Sequence, residues 1–193
     1  MKDTISLKII LGSVRDGRFS ERLAPWVLEQ VEKHGGFDAE LLDLRDYEMP
    51  FFDQSASPSS KQEPYKDEAV ARWTQKIAEA DAFLFIMPEY NRSVPGVLKN
   101  AIDWVYPEWN RKAAGFIGYG TVGGARAIEH ARGMAAELQM ATVRQAVNIV
   151  AHWNLQEEGG SIRNGALSEF ERGAAALLEQ LKWWGSALKV ARA

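Results

Sequence analysis

A doubly wound α/β sheet is the fold this sequence predicts, and two observations carry it. Apolar runs of strand length alternate with longer segments of helical periodicity, and the 88–104 stretch joins a strand end, a turn and a helix start. Strands are expected at 6–11, 39–43, 82–87, 113–119 and 143–149, and helices at 20–34, 67–80, 94–104, 124–138 and 168–190. Five strands, each followed by a helix, imply a parallel sheet covered on both faces by right-handed crossovers.

Taken in order, the first strand runs straight into Gly12-Ser13-Val14-Arg15-Asp16-Gly17-Arg18-Phe19-Ser20 and then a helix. The segment 44–64, with Pro50, Pro58, Pro64 and a Ser-Ala-Ser-Pro-Ser-Ser tract, is the one long irregular stretch; it reads as a binding lid or as mobile surface. The third strand, Phe83-Leu84-Phe85-Ile86-Met87, is followed by a turn at 88–93. Pro95 then reads as a first-turn proline ahead of an apolar face at Val97, Leu98, Ile102 and Val105. The fourth strand ends in Gly118-Tyr119-Gly120-Thr121-Val122-Gly123. After the fifth, a polar loop at 154–166 precedes a long helix bearing Trp183 and Trp184, which reads as sheet cover or subunit contact. Arg111 and Lys112, at the opposite end of the fourth strand, read as solvated.

Composition narrows the function classes. The 193 residues suit a single domain with a substantial core, 1–193. A formal net charge of −3 with interspersed signs offers no basic stripe for nucleic acid. The absence of cysteine excludes disulfides, thiolate nucleophiles and iron–sulfur clusters. Three scattered histidines argue against a metal site. No signal peptide and no run long enough to span a bilayer is expected, so the cytoplasm is the expected compartment.

Ligands of open parallel sheets bind beyond the carboxyl ends of the strands, where strand order reverses. The 12–20 loop is a phosphate cradle by composition: glycines admit backbone amides, serines donate, and Arg15 can bind phosphate oxygens bidentately. A P-loop is disfavoured, because Arg18 and Phe19 stand where Lys and Ser or Thr should follow Gly17. The 118–123 glycines match G-x-G-x-x-G, but after the fourth strand, and the next strand ends Ile149-Val150-Ala151-His152 without the acid a dinucleotide ribose requires. Three loops after strands one, three and four therefore converge on one ligand. It would carry a single phosphate and a flat polar ring, the shape of flavin mononucleotide (FMN).

The sequence resembles the NADPH-dependent FMN reductase family, which includes quinone and chromate reductases. The residues that carry the resemblance are Gly-Ser-x-Arg at 12–15 with Ser20, Pro-Glu-Tyr-Asn-x-Ser-x-Pro-Gly-x-Leu-Lys-Asn-Ala-Ile-Asp-Trp at 88–104, and Gly-Gly-x-Arg at 123–126. The resemblance implies a flavodoxin-like sheet of order 2-1-3-4-5. It also implies FMN held at the interface of a homodimer or homotetramer. NADPH or NADH would then deliver hydride to the flavin N5, and a small-molecule acceptor such as flavin, quinone or chromate would take the electrons. Carried over by position, Ser13, Arg15 and Ser20 would hold the phosphate, with Arg18 and Phe19 lending main-chain amides. Pro88, Glu89, Tyr90 and Asn91 would line the ring and ribityl chain, and Gly120, Gly123 and Gly124 would pack main chain beside the flavin. No side chain is expected to act as catalyst, since such cofactors carry their own chemistry. Amides of the 118–124 loop are expected to face charge developing on the flavin. Ser20 can also serve as helix N-cap, Tyr90 as subunit contact, and Arg18, Arg92 or Arg126 as partner of a 2′-phosphate. The alternatives are a non-enzymatic FMN-binding electron carrier and an NAD-binding Rossmann protein.

Overall fold

The computed structural model describes residues 4–60 and 65–193. Expectations that touch residues 1–3, or the end of the irregular segment at 61–64, lie outside the described residues. Five parallel strands, β1 (Ile5–Leu11), β2 (Phe37–Asp43), β3 (Ala82–Pro88), β4 (Ala113–Gly120) and β5 (Ala141–Val150), form one sheet of order β2-β1-β3-β4-β5. Helices α1 (Phe19–His34), α2 (Glu68–Glu79), α3 (Gly96–Asp103), α4 (Ala125–Glu137) and α5 (Ser168–Arg192) connect and cover it.

Strand sequence follows strand position. Every residue of central β3 is buried, because helices cover both of its faces, and its sequence is apolar throughout. Edge strand β2 has one buried residue, Leu42, and alternates polar with apolar. Successive β3 side chains go to opposite faces: Phe83, Phe85 and Met87 pack with Trp73 of α2, Leu98 of α3 and Ile128 of α4. Ala82, Leu84 and Ile86 pack with Leu23 and Val27 of α1 and Leu177 and Leu181 of α5. The chain leaves β1 toward one face through α1 and enters β3 from the other through α2, so strand order reverses between β1 and β3. There the carboxyl-end crevice opens.

Four local expectations change. Ser20 does not cap α1: Arg18 is the N-cap residue and Ser20 lies inside the first turn. Pro95 is the N-cap residue of α3 rather than a member of its first turn. Lys112 is buried, not solvated; its ammonium donates to the carbonyls of Ile77 (2.7 Å) and Ala78 (2.9 Å), closing the C-terminus of α2. Desolvation pulls its pKa down to about 8. The first part of the irregular segment is fastened to α3. Asn100 accepts from the Phe52 amide (3.0 Å), Asn100 and Trp104 both donate to the Pro50 carbonyl (2.9 and 2.8 Å), and Phe52 meets the Trp104 ring edge-on.

Candidate functional site

The β1–α1 loop is held from behind. The Arg18 side chain is buried and makes a bidentate pair with Asp43 at the end of β2, while its Nη1 also donates to the Ser13 carbonyl at 2.5 Å. The ion pair keeps Asp43 ionised well below the ordinary carboxylate range, its two arginine neighbours and the Arg45 amide outweighing burial. Arg18 is therefore not free to meet a 2′-phosphate. Its amide closes a turn onto the Arg15 carbonyl at 3.2 Å. Gly17, at φ +63°, supplies the left-handed step that returns the chain into α1.

The β3–α3 turn is narrow. Tyr90 and Ser93 exchange both backbone hydrogen bonds at 3.0 Å around Asn91 (φ 48°) and Arg92 (φ 70°), the paired left-handed residues of a type I′ turn. The Tyr90 hydroxyl reaches back to the Ser13 hydroxyl at 2.9 Å and ties this turn to the first loop. The Glu89 amide continues the β3–β4 ladder onto the Tyr119 carbonyl (3.1 Å), but its carboxylate turns away to the start of α4. There it accepts from the Arg126 amide (3.1 Å) and the Arg126 guanidinium. That pairing, with the positive end of a helix, holds the carboxyl below its usual range against the opposing effect of burial. Glu89 thus pairs with an arginine of its own chain, and Arg126 is committed to it rather than to a 2′-phosphate.

The glycines of the β4–α4 loop divide into two groups. A Cβ on Gly118 would stand 2.7 Å from the Gly123 carbonyl, and one on Gly124 would stand 2.7 Å from the Gly118 Cα. One on Gly123 would meet the Asn148 side chain at 2.8 Å. Gly123 and Gly124, expected beside a ligand, are instead buried in helix-on-strand packing. Gly120 (φ 141°) alone of the three faces the crevice, next to Thr121. Amides of the segment are also in use: Gly123 donates to the Gly120 carbonyl and Ala125 to that of Val122. Those of Arg126 and Ala127 serve Glu89.

The crevice is a cleft of about 370 Å³ across the ends of β1, β3, β4 and β5. Of the expected residues, Arg15, Arg18, Phe19, Pro88, Glu89, Tyr90 and Gly120 line it. Ser13 adjoins it through Tyr90, and Ser20 is enclosed beneath the lining near the Tyr119 phenol. Asn91 stands at the exposed tip of its turn, outside the lining. Sequence reasoning missed Tyr119, Thr121, His152, Trp153 and Gln156. His152 follows β5 and packs against Phe19 (4.7 Å between ring centres), Tyr119 (5.1 Å) and Trp153 (5.3 Å), a contact visible only once β5 lies beside β4. Burial, and after it the charge of Arg15, lower the His152 pKa. Burial pushes the Tyr119 phenol up to about 12.

The lining fits a phosphorylated planar ligand. The His152 Nδ1 is a buried polar atom without a protein partner, and the buried Tyr119 and Ser20 hydroxyls have no side-chain partner beyond each other, which is uncommon unless a ligand or water completes them. Arg15 and the left-handed Gly17 line the cleft together with the aromatic side chains of Phe19, Tyr90, Tyr119 and Trp153. Among the described residues no helix is long and apolar enough to cross a membrane.

Fold and cleft together define a flavodoxin-like α/β protein with a carboxyl-end ligand crevice, and comparison with known proteins gives the family. The sequence model of the NADPH-dependent FMN reductases matches residues 5–154, and the chain belongs to that family. It is an oxidoreductase. An NAD(P)H-dependent FMN reductase of Schizosaccharomyces pombe is 36% identical over 140 residues, covering 72% of this chain and 70% of that one. A 2-hydroxy-1,4-benzoquinone reductase of a Burkholderia species is 32% identical over 157 residues, covering 77% and 79%. Among solved structures, the flavoenzyme NAD(P)H:(acceptor) oxidoreductase FerB of Paracoccus denitrificans superposes with a TM-score of 0.72 at 25% identity, covering 93% of this chain and 98% of that one.

Proposed function

We propose that this chain binds FMN in the β1/β3/β4 cleft and uses it to pass electrons from NAD(P)H to a small acceptor, a free flavin or a quinone. The observation that carries the reading is the cleft itself, lined by an arginine, a left-handed glycine and aromatic side chains, with the buried His152 Nδ1 lacking a protein partner. When bound, FMN supplies hydride acceptance and onward electron transfer. The protein's residues bind and orient. Arg15 and the loop amides take the phosphate, with Ser13 beside them, and the Tyr119 hydroxyl and the His152 ring offer hydrogen bonds. Main chain at Pro88, Glu89 and Gly120 sets the depth of the ring, and the Glu89–Arg126 pair fixes Glu89 so that its backbone and not its carboxylate faces the cleft.

The reading includes one domain over 1–193, self-association as a homodimer or homotetramer, and a cytoplasmic location. Sedimentation of the purified protein measures the assembly. The function is tested by the visible spectrum of the FMN-loaded protein during anaerobic addition of NADPH and then NADH. Bleaching, with colour restored by a benzoquinone, supports the reading; a protein that takes up no FMN, or whose FMN ignores both nucleotides, overturns it.

A further inference from the structure

Side chains from the end of β2 and the start of α1 hold the β1–α1 loop from behind. Three successive carbonyls of the loop are taken by two guanidinium groups: Ser13 by Arg18 (2.5 Å), Val14 by Arg45 Nε (3.3 Å), and Arg15 by Arg45 Nη2 (3.0 Å). Both arginines are anchored on Asp43, Arg18 through its bidentate pair and Arg45 through its own amide, which donates to Asp43 Oδ1 at 2.9 Å. Arg45 also reaches Asp16 Oδ1 at 3.1 Å.

In a trans peptide the carbonyl of one residue and the N–H of the next point in opposite directions. Carbonyls of Ser13, Val14 and Arg15 drawn toward the β2 side therefore send the N–H groups of Val14, Arg15 and Asp16 the other way. The Arg15 amide is found there, on the Ser13 hydroxyl at 3.4 Å. Successive amides aimed together form an anion-binding concavity. The Ser20 hydroxyl, fully enclosed at the end of the same loop, has the Tyr119 phenol of the cleft as its side-chain neighbour.

We infer that Arg18, Asp43 and Arg45 are positioning residues that act on the phosphate without touching it, by turning the peptides of residues 13–16 so that their amides form the phosphate nest. This rests on the proposed FMN function. The placement of the two arginines on the carbonyls behind the loop makes the nest preorganised, so that binding does not have to reorient it. It also gives Asp43 a role different from the ribose-binding acid of dinucleotide folds, since both of its oxygens are occupied by protein donors.

The test compares FMN with riboflavin, which lacks the phosphate, in fluorescence-quenching titrations of apoprotein. The variants are Arg45→Gln and Asp43→Asn, each checked by thermal melting. Arg45 lies on the surface side of the loop, so Arg45→Gln keeps the test open if Asp43→Asn folds poorly. The expected result is a roughly tenfold loss of FMN affinity in Arg45→Gln and at least as much in Asp43→Asn, with riboflavin affinity changed less than twofold, as loss of about one charge-assisted hydrogen bond's worth of preorganisation implies. Equal weakening of both ligands, or no weakening of either, in variants of a wild type that binds FMN would overturn the inference while leaving the FMN reading intact. A wild type that binds no FMN would overturn both.

Discussion

Two glycine-bearing loops leave the carboxyl ends of β1 and β4, and they do different work. The first is open on its ligand side and braced by side chains from behind; its glycine at 17 has nothing closer than Arg22 Nη2 at 3.7 Å from where a Cβ would be. The second opens to the cleft at Gly120 and Thr121 and is otherwise closed on itself: Gly118, Gly123 and Gly124 let α4 lie on β4 and β5, with added Cβ atoms meeting backbone or Asn148 within 3 Å. Glycine spacing alone does not separate a cradle from a hinge of close packing. What separates them is whether the space a Cβ would fill belongs to solvent or to the protein.

Four outcomes sharpen that contrast. The largest is expected from Gly118→Val, which forces a side chain into the Gly123 carbonyl and the Ile128 side chain: a loss of about 3 kcal/mol or more by overpacking, read as a fall of about 6–12 °C in Tm. An unchanged Tm would show that the β4–α4 loop is not packing scaffold. Arg15→Ala should do the reverse, lowering FMN affinity about 10- to 100-fold while stability stays within about 0.5 kcal/mol, since Arg15 is exposed and contributes no buried contact.

Next is the Glu89–Arg126 pair, which ties the β3–α3 turn to the start of α4. Its folded carboxyl pKa lies below the ordinary value, so the stability it contributes is present in full above the unfolded pKa of about 4.3 and is lost as pH falls through the lower folded value. Glu89→Gln should therefore destabilise by about 2 kcal/mol at pH 7 and progressively less in acid. Denaturant midpoints at both pH values measure this; a pH-independent difference would contradict it. The smallest effect is Tyr119→Phe. Removing a buried hydroxyl whose one side-chain neighbour is the Ser20 hydroxyl costs at most about 1 kcal/mol of stability, while FMN affinity falls about three- to tenfold if that hydroxyl completes its hydrogen bond on the ligand.

Strand and helix order was legible in the sequence because central strands are apolar throughout and helices keep their 3.6-residue period; β3 reads the same in letters and in space. The expected sheet order β2-β1-β3-β4-β5 is the observed one. The cleft was legible where its residues are local to a strand end, as at Arg15, Pro88, Tyr90 and Gly120. It was illegible where contact depends on distant strands lying side by side. Phe19 meeting His152, or Asp43 of β2 meeting Arg18 of the β1 loop, carries no sequence spacing to read. Burial is equally nonlocal: Lys112 looked like a strand-opening surface lysine until α2 was seen to end over it. Ser20 looked like a cap because serine favours that position, but the helix begins one residue earlier than expected.

The central claim is that one glycine loop receives the phosphate and the other is scaffold, and hydrogen–deuterium exchange with and without FMN tests it most directly. The account predicts slowed exchange on FMN addition at amides 14–20, with 123 and 125–128 unchanged because their donors are already bonded within the protein. Protection centred on 123–128 with none at 14–20 would contradict it.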